Sequence, residues 1–285
     1  MPHATLVEHA VRRTDAGACD PSGRARLNLR RGEAHLWYAL TDECFTPSRL
    51  SYYRTLLDEN ESRRLDRLAI DHVRHEYLLT RALCRVSLSH YADVAPSAWR
   101  FVANEYGRPR VAGPELSAPL RFNLSNSRGL VACLIARDAD VGVDVEEITP
   151  DNKSEIAQTH FSLAELRSMA SLPSAQQQRR FFELWTLKES YIKARGMGLS
   201  LALDQFSFDI VPGKSIRINF AKMDPDGAAA WQFELLRPGD RHSMAVAIHK
   251  GSGPDWPIRT IQTIPEWPGT RAYRAMLTKP EFVFD

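Results

Sequence analysis

Three carboxylates and two lysines fall at spacings that could serve one reaction: Asp144 and Glu146 in VGVDVEE (141–147), and Lys188, Glu189 and Lys193 in FFELWTLKESYIKARGMG (181–198). Valines at 141, 143 and 145 alternate with Gly142, Asp144 and Glu146, a period of two that reads as a half-buried strand. Side chains two apart on a strand project the same way, roughly 6–7 Å apart at about 3.3 Å rise per residue, so Asp144 and Glu146 can close on one hard cation. The second stretch lacks proline, is rich in helix formers and ends at Gly196 and Gly198, which reads as one long helix. On it Trp185, Glu189 and Lys193 form an i, i+4, i+8 row, with Lys188 on a neighbouring face. Glu189 beside the strand pair would complete an all-oxygen site for Mg²⁺, an ion that keeps waters and shares positions with substrate phosphate. Phosphate chemistry is the expectation.

Each half has a plain alternative: an Asp-x-Glu strand as a solvated sheet face, and Glu189 with Lys193 as an exposed helix pair. The joint pattern decides. GVDVE followed some forty residues later by W-x-x-K-E-S-Y-I-K-A-x-G-x-G-L-S, with EYGRP (105–109), RFNLSNS (121–127) and FSLAEL (161–166), resembles the 4′-phosphopantetheinyl transferases of the Sfp-like type. The resemblance runs from about Glu61 to about His249. It implies a pseudo-dimeric α+β fold of two similar lobes, and transfer of the 4′-phosphopantetheine arm of coenzyme A to a serine of an apo acyl or peptidyl carrier protein, releasing 3′,5′-ADP. It further implies Mg²⁺ on Asp144, Glu146 and Glu189, Lys193 and Lys188 steadying the phosphates, and Glu189 or a metal-bound water as the group that accepts the serine proton.

The polyanionic donor needs cations. On the helix around 71–91, Arg74, Arg81 and Arg85 fall within roughly 40° of arc. Arg74 lies earliest, where the family grips the nucleotide end of coenzyme A. Arg63 and Arg64 resemble positions that contact the 3′-phosphate. Arg108 stands where the family usually has lysine, keeping the charge and adding a planar fork. Ser125 remains a phosphate donor, whereas Asn126 replaces the family's histidine and supplies no charge. Arg128 is close enough in sequence to compensate. Glu165 matches an acidic position near the family's site, with a surface helix acid as its plainer reading.

Composition sets the bounds. A chain of 285 residues can bury a large core, and 44% apolar with 25% charged residues is ordinary for a globular protein. A formal charge of +2 gives no support for nucleic-acid binding, which favours a strongly basic face. Cys19, Cys44, Cys84 and Cys133 lie far apart without C-x-x-C spacing, so neither zinc nor a disulfide framework is indicated. With no signal-type apolar run and no stretch near 18–20 apolar residues, a cytoplasmic protein without membrane contact is expected.

The expected organisation is an N-terminal extension (1–33), an N-terminal α+β lobe (34–139), a C-terminal α+β lobe with the metal site (140–250) and a C-terminal extension (251–285). Strands are expected at HLWYAL (35–40), WRFVANEY (99–106), LRFNLS (120–125), LVACLIA (130–136), VGVDVEE, QFSFDIV (205–211), SIRINF (215–220), WQFELL (231–236) and SMAVAIH (243–249). Helices are expected over 61–92, with a break near Asp71, over 154–195, and at TRAYRAML near the end. The internal recurrence fits a monomer. The acidic carrier should dock on residues 153–180, where Phe161, Leu163, Leu166 and Met169 lie near Lys153 and Arg167. Rival readings are a Mg²⁺-dependent phosphohydrolase or nuclease built on the same acids, and a coenzyme A-binding module with reduced catalysis.

Overall fold

The computed structural model describes residues 26–266 apart from 152, 199–200 and 222–226. The regular elements come in two rounds of one order. The first is β1 (Ala34–Leu40), helices α1 (Thr41–Cys44), α2 (Pro47–Thr55), α3 (Glu59–Arg67) and α4 (Asp71–Ser89), then the hairpins β2 (Arg100–Ala103) with β3 (Pro109–Gly113) and β4 (Leu120–Ser127) with β5 (Leu130–Arg137). The second is β6 (Val141–Glu147), α5 (Ser154–His160), α6 (Leu163–Ala170), α7 (Ser174–Arg195), β7 (Phe206–Asp209) with β8 (Arg217–Phe220), and β9 (Trp231–Leu236) with β10 (His242–His249). The sheets repeat the order too: β1-β5-β4 in one, β6-β10-β9 in the other. This is the mixed α+β architecture that the sequence implied.

Period-two alternation explains the layering. Trp37, Val131, Cys133 and Ile135 point to a core shared with α4, while Leu36, Ala132 and Leu134 point the other way, against Val141, Val143, Val145, Met244 and Val246. The reverse face of the second sheet carries Ala245 and Ala247 into a third core with Leu187 and Tyr191 of α7. Two sheets thus pack face to face with a long helix outside each. This arrangement turns Gly142, Asp144 and Glu146 toward α7. Gly142 is glycine for a steric reason: a Cβ there would stand 2.0 Å from the Ser190 carbonyl oxygen and 2.6 Å from the Ala194 nitrogen, both backbone atoms. Gly142→Ala is therefore expected to cost about 2–3 kcal/mol by overpacking; an unchanged urea midpoint would show that α7 can move away freely.

Two segments depart from expectation. Between the expected strand ending at Leu40 and the helix expected from 61, α1 and α2 form, the latter with Pro47 at its start and the Thr46 hydroxyl accepting from the Arg49 N–H at 3.3 Å. The helix break expected near Asp71 is present, directly before it, where Leu68 and Ile70 are extended. The segment expected as a C-terminal extension supplies β11 (Ile258–Gln262), which pairs in parallel with β1 and covers its edge. The TRAYRAML helix lies outside the described residues. Among the described residues no helix is long and apolar enough to cross a membrane.

His35, on β1, is 3% exposed, and its Nδ1 lies 2.7 Å from the Tyr91 hydroxyl. Burial, and secondarily the charge of Arg259, push its pKa down to about 4 from 6.5. Between those values the unfolded chain takes up a proton that the folded chain resists, so stability is full above pH 6.5 and falls as pH drops toward 4. Urea unfolding should weaken over that window more steeply in the wild type than in His35→Gln; parallel slopes would mean that His35 charges without penalty.

Candidate active site

The face of β6 that carries Asp144 and Glu146 meets the row Trp185, Glu189 and Lys193 on α7, and the edge of β4 closes the third side. The resulting cleft of about 400 Å³ brings together Ser125, Asn126, Asp144, Glu146, Glu189 and Lys193. Lys193 is the hinge of the arrangement: its Nζ lies 2.6 Å from Asp144 Oδ1 and donates to Ser125 Oγ at 2.8 Å. Ser125 Oγ in turn donates to Asp144 Oδ1 at 3.0 Å and accepts from the Val145 N–H at 3.2 Å. Gly196, with φ of 63°, ends α7 in the left-handed conformation, one turn beyond Lys193.

Negative charge is crowded here. Burial raises the pKa of Asp144, with Lys193 opposing. Burial and the neighbouring Asp144 raise Glu146 to about 7, against Lys193 and a hydrogen bond to Trp185. Burial and Asp144 also raise Glu189. Asp144 Oδ2 is buried with no hydrogen-bond partner. A buried, unsatisfied carboxylate oxygen beside two acids pushed toward neutrality is a site short of positive charge, and an all-oxygen donor set suits a hard divalent cation. Mg²⁺ fits that chemistry. Among the described residues, though, no three such side chains already stand as a closed ligand set; Lys193 occupies one oxygen of Asp144, so a bound cation would have to share or displace it.

Other expected residues do not converge. Lys188 is fully buried on another face of α7 and spends its three protons on Glu165 Oε2 at 2.8 Å, Leu203 O at 2.7 Å and Phe206 O at 2.6 Å. This corrects its expected place among the phosphate contacts. Glu165 is neither a surface acid nor a cleft group: it is 1% exposed, caps α6 through Ser162 and accepts from the Phe208 N–H. Arg108 turns its fork inward, donating to Ala194 O at 2.8 Å and pairing with Asp140 at 2.8 Å, so it ties the β2–β3 hairpin to the end of α7 instead of facing the cleft. Arg63 and Arg64 are exposed on α3, the first paired with Glu59, the second over the Tyr77 ring at 5.6 Å. Arg74 is half-buried near the start of α4. None of these three lines the cleft. Arg85 is 0% exposed and bonded to Glu61, Pro96 O and Trp99 O, which breaks the expected cationic row. Arg128 acts electrostatically on Glu76 of α4 and does not line the cleft that holds Asn126.

Sequence reasoning missed Asn123, Ser127 and His242. His242, on β10, holds the β4–β5 turn through a 2.8 Å contact between Nε2 and Arg128 O. The alternation of small acceptors in N-L-S-N-S was the available signal for the first two.

The cleft thus lies between two sheets, with Lys193 set against a wall formed by Asp144, Glu146 and Glu189. Residues 140–247 match the model of the 4′-phosphopantetheinyl transferase superfamily. The chain is 30% identical over 223 residues to the 4′-phosphopantetheinyl transferase HetI of Nostoc sp. (strain PCC 7120), covering 78% of this chain and 90% of that protein. It is 33% identical over 184 residues to the 4′-phosphopantetheinyl transferase Sfp of Bacillus subtilis (strain 168), covering 64% and 76%. The chain belongs to the 4′-phosphopantetheinyl transferase family.

Proposed function

We propose that the cleft holds the diphosphate of coenzyme A and transfers the 4′-phosphopantetheine arm to a serine of an apo acyl or peptidyl carrier protein. The observation that carries this reading is the Lys193 ammonium, held at Ser125 and Asp144 in the same cleft as Glu146, Glu189 and the partnerless Asp144 oxygen. Asp144, Glu146 and Glu189 would hold Mg²⁺, which neutralises phosphate charge and stabilises the leaving group. Lys193 and Ser125 orient the diphosphate, the ammonium by charge and the hydroxyl by a hydrogen bond. Glu189, its basicity raised by burial, accepts the proton of the carrier serine hydroxyl. The serine oxygen bonds to the phosphorus that bears the pantetheine arm as the bridging bond to the nucleotide breaks, and 3′,5′-ADP leaves.

Arg63, Arg64 and Arg74 are assigned to the nucleotide end on family resemblance, with Asn126 as a neutral donor between the two ends. For the carrier, the expected patch shrinks: Phe161 is buried, and Leu166 and Met169 pack against their own core. Leu163, 71% exposed, remains one turn from exposed Arg167 on α6, and Ile156, 38% exposed, remains on α5. That small apolar and basic surface is the proposed dock. Incubating the protein with coenzyme A, Mg²⁺ and several apo-carriers, then weighing each carrier, tests the whole reading. Arm addition with release of 3′,5′-ADP supports it; nucleotide cleavage with unmodified carriers favours a phosphohydrolase; coenzyme A binding without either favours a binding module.

A further inference from the structure

β6 is the outer strand of its sheet and β4 the outer strand of the other, so each presents a backbone edge with no strand ladder on it. Buried edge N–H groups need acceptors. Here they find side chains. The Val143 N–H donates to Asn123 Oδ1 at 3.0 Å, the Val145 N–H to Ser125 Oγ at 3.2 Å and the Glu147 N–H to Ser127 Oγ at 2.8 Å. Acceptors at alternate positions of β4 meet donors at alternate positions of β6, the two strands running in the same direction, so the period of two fixes one register. The rungs are side chains that leave one face of β4, the face opposite Phe122 and Leu124, and reach the N–H edge of β6. The middle rung, Ser125, also touches Asp144 and Lys193. The outer rungs, Asn123 and Ser127, line no part of the cleft.

We infer that Asn123 and Ser127 are positioning residues: from the two ends of this ladder they hold β6 in register against β4, so that Asp144 and Glu146 face Ser125 and Asn126 at the spacing that a cation and a diphosphate require. Ser127 acts through the Glu147 N–H on the adjacent Glu146. The inference rests on the proposed function of the cleft and deepens it.

The test is calorimetric titration of Mn²⁺ into Ser127→Ala and Ser127→Thr, each in the wild-type and Glu146→Gln backgrounds, alongside KM for coenzyme A and for one carrier. Ser127→Ala should weaken Mn²⁺ binding about 10-fold, the upper end expected for one half-buried hydrogen bond, and raise KM for coenzyme A while KM for the carrier stays within about twofold. Ser127→Thr keeps the oxygen and should restore most of the loss. In the Glu146→Gln background Ser127→Ala should add nothing further. Asn123→Ala should give the same split between donor and carrier. Wild-type Mn²⁺ affinity in Ser127→Ala, an equal loss in the Glu146→Gln background, a threonine variant as weak as alanine, or a parallel rise in carrier KM would each overturn the inference while leaving the transferase reading intact. A wild-type protein that binds no Mn²⁺ removes the cation reading of the cleft, and this inference with it.

Discussion

Glu189→Gln and Asp144→Ala each lower kcat/KM for carrier modification by at least about 100-fold, the range expected for losing a proton acceptor or a metal ligand, or about 2.7 kcal/mol of transition-state stabilisation. The two should differ in everything else. Gln at 189 keeps shape and hydrogen-bonding capacity while removing a charge that burial and Asp144 already disfavour, so the metal-free variant should melt at or above the wild-type temperature. Ala at 144 strips Lys193 and Ser125 of their shared acceptor, so coenzyme A and metal binding should both change. Sites that concentrate like charge for function commonly give up stability. Measuring turnover and thermal midpoint on the same metal-free preparations distinguishes the cases: near-normal turnover in either variant would remove that carboxylate from the reaction, and a large drop in melting temperature for Glu189→Gln would make its role structural.

Periodicity made each half of this cleft readable in the sequence, and the family resemblance joined the halves and added Ser125 and Asn126. Strand spacing put Asp144 and Glu146 on one face, helix spacing put Trp185, Glu189 and Lys193 in one row, and the structure places both sets around the same cleft. What failed was whatever depended on which neighbour a face would meet. Arg85 and Arg108 carried the right charge for phosphate, but each found protein oxygens first, in one case Glu61 and two backbone carbonyls, in the other Asp140 and the last turn of α7. Charge alone does not say whether an arginine is spent. The side-chain ladder between β4 and β6 was equally hidden, since it needs the edge of one sheet laid against a strand of the other, which no local pattern brings together. The short β11 was obscured by four prolines around it, although parallel pairing with β1 needed only five residues.

Lys188 is the sharpest of these cases. One residue before Glu189, it lies about 100° around the helix, which is enough to send it from the cleft into the core formed by α6, β7 and α7. There the ammonium and the Glu165 carboxylate are 0% and 1% exposed and 2.8 Å apart, and the Phe206 ring centroid lies 4.5 Å away. A buried pair with every proton placed contributes little over an apolar pair of equal volume, but breaking it strands a charge. Lys188→Met should therefore destabilise the fold by about 3–5 kcal/mol, while the fraction that remains folded keeps kcat/KM within a few-fold of wild type. Adding Glu165→Gln removes the stranded carboxylate and should recover part of the lost stability, a non-additivity expected for partners in direct contact. Urea titration of the two single variants and the double, with active-site-normalised kinetics on each, decides the matter. A Lys188→Met protein that stays stable yet loses 100-fold in turnover would return this lysine to the chemistry.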